Sequence, residues 1–277
     1  MNIKEQLQIL MQNTDYGDET LRINMQKELE KKLMEKRPLN IYCGYDPTAV
    51  DLTLGHIITM RKLRDFQELG HKVTFLIGGF TGLIGDPSDK DKKRPMLTKN
   101  QLENNAKEYT RQAYKILDPR LTTIRSNDEW LEKLSSKEFI QLCSHFTVAQ
   151  FLERDNFSKR WNANDPIYLS EFLYALLQGY DAVQLKADVQ IGGSDQLFNL
   201  MAGRILQREF NQSPQVIITL PILVGTDGKL RMSKSTGNFI GLDEEPNEMF
   251  GKIMSIPDSA IKSYFNLLTN ISDDELD

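Results

Sequence analysis

The chain has 277 residues, 40% of them apolar and 26% charged, and its 34 Lys and Arg against 39 Asp and Glu leave a net charge of −5. That length buries a full core and predicts one large domain, with room for a small appendage, while the acidic balance excludes a general basic field for nucleic acid and leaves any RNA contact to local patches. Two cysteines, Cys43 and Cys143, exclude a disulfide framework and fit a reducing cytosol, and neither an apolar leader after Met1 nor a bilayer-length run is present.

Residues 39–45 read as a buried strand ending at an Asp46-Pro47 turn, followed by a helix from about Gly55 to Leu69 that Gly70 stops. Residues 72–77 form a second strand closed by Gly78-Gly79, which makes a βαβ unit and predicts a right-handed crossover. Thr98 with Gln101 resembles a capping box and opens a polar-faced helix to about Leu117. Thr122–Arg125 reads as a short strand, and 127–165 as an irregular helical insertion. A helical run from Pro166 leads to a strand near Val189–Ile191, then a helix from Ser194 to about Phe210 and a strand at Val216–Leu220. Residues 246–269 are helical again. The alternation predicts an open α/β sheet with ligands at the carboxyl ends of its strands, although the dinucleotide fingerprint G-x-G-x-x-G is missing from the first βα turn.

Five segments carry candidate chemistry, each with a blander alternative. Gly55-His56 opens a helix whose free amides and dipole favour an anion, or it is an ordinary helix start with a surface histidine. Arg231-Met232-Ser233-Lys234-Ser235 sets two cations and two hydroxyls in five residues, suited to the charge of a reacting phosphate, or it is a solvated basic hairpin. The glycine-rich run from Gly78 to Pro87 lets backbone crowd a ligand and ends on Asp86, able to pair with an ammonium group, or it is a bare turn. Tyr174, Gln178 and Asp181 share one face of a helix, as a pocket wall or as a solvated stripe. Gly192-Gly193-Ser194-Asp195-Gln196 joins strand to helix, with Asp195 as a ribose acceptor or the segment as a simple cap.

Taken together, from about Asn40 to about Tyr264, these segments resemble the class I aminoacyl-tRNA synthetases and, among them, the bacterial tyrosyl-tRNA synthetases. Thr53-Leu54-Gly55-His56 stands where that class has His-Ile-Gly-His, and Arg231 to Ser235 where it has Lys-Met-Ser-Lys-Ser. The runs Tyr42 to Ala49, Thr81 to Ser88, Gln178 to Asp181 and Gly192 to Gln196 are tyrosyl-like. The resemblance implies a Rossmann-like parallel-sheet catalytic domain over 1–225, with the helical insertion at about 127–165 as a homodimer interface. A KMSKS-type loop and the start of a helical linker would occupy 226–277. The anticodon-binding and C-terminal RNA-binding regions of such enzymes would lie beyond Asp277, so a truncated or incomplete chain is expected.

The same resemblance implies L-tyrosine, ATP and tRNA(Tyr) as substrates, magnesium arriving with ATP, no permanently bound cofactor or metal, and a cytoplasmic setting without membrane. Tyr42 and Asp181 would bond the substrate phenol; Asp86, Tyr174 and Gln178 its ammonium; Gln196 would sit near its carboxylate. Cys43, Gly193 and Asp195 would meet the ribose, with Gly55 beneath the adenosine and Gly44, Asp46 and Met232 lining the nucleotide site. Thr48, His56, Lys90, Arg94, Arg231 and Lys234 would serve the phosphates. Thr53 and Arg231 depart from the family pattern, and Thr53 is left only a hydroxyl to offer the γ-phosphate. A tryptophan enzyme of the same architecture, an RNA-binding scaffold that kept the fold, and a generic nucleotidyltransferase stand as alternatives.

Overall fold

A computed structural model describes residues 1–86, 97–153, 155–271 and 275. Two helices precede the first strand, α1 (Ile3–Met11) and α2 (Glu19–Met34). Asn2 and Glu5 close a capping box at the first, and the Asp18 carboxylate accepts from the Thr20 and Leu21 amides at the second. The sequence reading assigned no element here. In α2 the buried stripe is thin, essentially Met25, Leu29 and Leu33, so the apolar periodicity is faint.

The expected βαβ unit is β1 (Asn40–Tyr45), α3 (Leu54–Glu68) and β2 (Lys72–Ile77), in parallel register from Asn40↔Lys72 to Tyr45↔Ile77. Gly70, at φ +82°, turns the chain after α3 where a side chain would be strained. A single helical turn, α4 (Thr81–Ile84), occupies the glycine-rich run. The Thr98–Gln101 capping box opens α5 (Lys99–Ala113), which stops before the expected Leu117. β3 (Thr122–Ser126) pairs with β2.

The insertion consists of α6 (Asp128–Leu131), α7 (Ser136–Cys143), α8 (Val148–Leu152) and α9 (Asp155–Asn162). Of the apolar residues there, Leu142 and Phe151 are buried and Phe139, Phe146 and Leu152 pack partly against local clusters, whereas Ile140 (68%) and Val148 (62%) are exposed. Then follow α10 (Leu169–Gln184), β4 (Val189–Gly193), a 3-10 turn (Ser194–Gln196), α11 (Leu197–Glu209) and β5 (Val216–Leu220). The helical stretch expected at 246–269 divides into α12 (Pro246–Met254) and α13 (Asp258–Leu268), because Pro257 cannot donate within a continuing helix.

The five parallel strands lie in the order β3-β2-β1-β4-β5. The chain moves outward from β1 to β3 and returns on the other side at β4, so the carboxyl ends of β1 and β4 flank a crevice at the switch point. Side chains alternate across β1. Ile41, Cys43 and Tyr45 join the cluster containing α1, α2, α3 and α13, while Tyr42 packs with Leu177 and Ala182 of α10. Layers on both faces explain why all five residues of β5 are buried.

Candidate active site

A cavity of about 410 Å³ opens at that switch point. Cys43, Gly44, Asp46 and Thr48 line it from the end of β1, and Thr53, Gly55 and His56 from the start of α3. Asp86 stands across from Tyr174, Gln178 and Asp181 of α10, while Gly193, Asp195 and Gln196 come from β4 and the turn after it. Arg231 and Met232 close the rim. Tyr42 and Lys234 are not in its wall. Lys90 and Arg94 lie outside the described residues.

The face of α10 carrying Tyr174 and Asp181 is buried, so it is a pocket wall and not a solvated stripe. Asp181, 2% exposed, accepts from Trp130 Nε1 at 2.8 Å and from Asn127 Nδ2 at 3.3 Å. Burial outweighs these two donors and pushes its pKa up to about 8. The Tyr42 hydroxyl is enclosed without a hydrogen-bond partner, and burial, then the neighbouring Asp181, raise its pKa well above the ordinary phenol value. Gln178 Oε1 is likewise buried and unpartnered, an acceptor on a side chain that lines the cavity. Asn127 and Trp130 escaped the sequence reading. They stand at the start of an irregular insertion, and only the folded chain brings them to α10.

Asp46 ties the two ends of the cavity together. One of its oxygens accepts from Thr81 Oγ1 at 2.7 Å and the other from the Tyr174 hydroxyl at 2.9 Å. A Cβ at Gly78 would overlap the Asp46 carboxylate, which explains glycine at that position. Nearby, Gln196 Nε2 donates to Asp86 Oδ2 at 2.5 Å.

At the start of α3 the His56 Nδ1 accepts from the Thr53 backbone amide at 3.1 Å, with the Thr53 hydroxyl 3.0 Å away. A backbone amide can only donate, so the neutral ring must carry its proton on Nε2. Burial, then Arg231 and Lys234, lower the His56 pKa to about 4 and keep it neutral near pH 7. Thr53 is 3% exposed, and its hydroxyl serves His56. The signature loop is held from both sides. Arg231 donates to Asp195 Oδ2 at 2.7 Å, and Lys234 reaches the Asp51 carbonyl and, at 3.5 Å, its carboxylate. Burial lowers the Lys234 pKa while Asp51 opposes that change. Asp51 too was missed, since nothing in its neighbourhood marks it as a lysine partner. Among the described residues, no group of three or more His, Cys, Asp or Glu is disposed to hold a metal ion.

The family model "tRNA synthetases class I (W and Y)" matches residues 34–277. The chain is 52% identical over its whole length to a tyrosine–tRNA ligase of Aquifex aeolicus, spanning 69% of that relative. It is 48% identical to one of Thermotoga maritima, spanning 68% of it. Among solved structures it superposes with TM-score 0.79 on a tyrosyl-tRNA synthetase of Archaeoglobus fulgidus complexed with L-tyrosine, at 25% identity, covering 96% of this chain and 81% of that one. A C-terminally truncated mitochondrial tyrosyl-tRNA synthetase of Aspergillus nidulans shares the fold, with TM-score 0.72 at 23% identity, over 99% of this chain and 81% of the other.

Proposed function

Since the chain belongs to the class I tRNA synthetases for tryptophan and tyrosine, we infer from that premise how its cleft performs the reaction. The activity is that of a tyrosine–tRNA ligase: L-tyrosine and ATP give tyrosyl-adenylate and pyrophosphate, and the tyrosyl group passes to the 3′ end of tRNA(Tyr). The nucleophile is the substrate's own carboxylate, with a pKa of about 3.5 and hence ionised at neutral pH. Its oxygen forms the bond to the α-phosphorus as the bond to pyrophosphate breaks, so no protein nucleophile or base is needed. Rate comes from alignment and from donors facing the negative charge at phosphorus.

In this reading Tyr42 and Asp181 hold the phenol, Gln178, Tyr174 and Asp86 the ammonium, and Gln196 stands near the carboxylate. Cys43, Gly193 and Asp195 take the ribose, with Gly44, Asp46, Gly55 and Met232 along the adenosine. Thr48, His56, Arg231 and Lys234 serve the phosphates, His56 through its Nε2 proton. Thr53 acts by orienting His56. Magnesium comes with ATP as part of the substrate. The observation that carries the reading is that one cavity holds both sets, with Asp46 bonded at once to Thr81 and Tyr174. A mixed anhydride therefore needs to bridge no gap between separate sites.

The exposed Ile140 and Val148, with Trp161 (62%) and Leu169 (78%), support a homodimer through the insertion. No described helix is long and apolar enough to cross a membrane, and we assign the reaction to the cytoplasm. The test is ATP–pyrophosphate exchange with tyrosine, tryptophan and phenylalanine side by side. Only tyrosine is expected to support it strongly, and Asp181→Ala should abolish most of it in a chain that stays folded. Exchange by Asp181→Ala near the parent level would remove the phenol site from this account.

A further inference from the structure

Behind the phenol end of the cavity lies a group of buried glutamines with no part in the steps above. Tyr42 and Gln190 are register partners on β1 and β4, so their side chains leave the same face of the sheet. Gln190 is 1% and Gln215 0% exposed. Gln215 Nε2 donates to Gln190 Oε1 and, at 3.4 Å, to the Leu200 carbonyl. The Gln215 backbone amide donates to Gln207 Oε1 at 2.6 Å, and Gln207 Nε2 donates in turn to the Ala187 carbonyl at 2.9 Å. Backbone carbonyls only accept and amides only donate, so these contacts fix which way both side-chain amides face. Space is reserved for the group: a Cβ on Gly203 of α11 would stand 2.6 Å from Gln215 Nε2.

Two enclosed polar atoms here have no hydrogen-bond partner, the Tyr42 hydroxyl and Gln215 Oε1. Burial and then Asp181 raise the Tyr42 pKa, and Gln215 opposes them, as a hydrogen-bond donor beside the phenol oxygen does. One Nε2 hydrogen of Gln215 goes to Gln190, and the other has only the distant Leu200 carbonyl.

We propose that Gln215 is a positioning residue for substrate selection: its amide nitrogen donates to the Tyr42 oxygen, which turns the Tyr42 proton toward the bound phenol. Tyr42 then donates to the substrate oxygen, and Asp181 accepts the substrate's own proton. Phenylalanine has no oxygen to receive either contact, so Gln215 adds nothing to its binding. The proposal rests on the reading that the phenol lies beside Tyr42 and Asp181.

The test is the ratio of kcat/KM for tyrosine over phenylalanine in pyrophosphate exchange. Gln215→Met keeps the length and removes the donor. It is expected to lower kcat/KM for tyrosine by roughly two- to tenfold, mostly through KM, with phenylalanine unchanged. A merely structural role would lower both substrates together and leave the ratio intact, which overturns the proposal. Should Gln215→Met not fold, Gln190→Met, which removes the acceptor that orients Gln215, should narrow the same ratio; an unchanged ratio there overturns it equally. Asp181→Asn is the control. If it too leaves the ratio unchanged, the phenol site itself is misplaced; if only the glutamine variants do, the fault lies with Gln215 alone.

Discussion

Replacing Asp181 by asparagine removes a buried carboxyl whose pKa stands at about 8, against an ordinary 3.8. Between those values the folded chain keeps a proton that the unfolded chain has released. Stability tied to this group is therefore greatest at low pH and declines as pH rises toward 8. One proton of difference corresponds to about 1.4 kcal/mol per pH unit, or roughly 2.7 kcal/mol between about pH 5 and pH 7. The amide of the Asp181→Asn variant has no such proton to hold, and every other titrating group is common to both chains. Urea unfolding of the parent and of Asp181→Asn across that range, without substrates, should give stabilities whose difference slopes downward for the parent. Parallel curves would mean that Asp181 is already ionised before tyrosine binds, and that Trp130 and Asn127 overcome its burial.

Three further outcomes follow from the geometry. Single-turnover adenylate formation should show no inflection from a histidine between about pH 5.5 and 7.5, because His56 already sits near 4; a step near the ordinary value of about 6.5 would contradict the neutral Nε2–H donor. Lys234→Ala should slow adenylate formation while leaving tyrosine affinity, read by equilibrium dialysis, within about twofold; collapse of tyrosine binding with an intact rate would reverse the assignment. Gly179→Ala puts a Cβ 3.0 Å from the Ala202 carbonyl carbon and 3.1 Å from the Gly203 nitrogen, backbone that cannot swing aside. It should destabilise the chain by about 1–3 kcal/mol in urea, and an unchanged midpoint would show that α10 and α11 separate freely.

Much of the fold was legible because its signals are local. β2 and β5 match their expected bounds, since short apolar runs between turns are closed by glycine, proline or polar residues on both sides. The Thr98–Gln101 box also announced α5 correctly. The two N-terminal helices were not legible, because a thin stripe such as Met25, Leu29 and Leu33 becomes evident only against the sheet it covers. The site divides in the same way. Motif residues such as His56, Asp181 and Asp195 sit in runs that mark themselves, and they do line one cavity. Asn127, Trp130, Asp51 and the buried glutamines act across long stretches of chain, where no spacing rule connects donor to acceptor. Thr53 was read as an impaired phosphate donor, yet its hydroxyl lies against a ring nitrogen three residues away.

The ion pair between Arg231 and Asp195 gives the enzyme a latch of its own making. A sugar hydroxyl that claims the Asp195 carboxylate must first dislodge a guanidinium, which is thereby released beside the arriving polyphosphate. With the arginine 45% and the aspartate 24% accessible, opening costs little, on the order of 1 kcal/mol or less. Admission of the nucleotide and arming of the loop thus become a single exchange of partners, and a sugar lacking those hydroxyls would leave the arginine where it is.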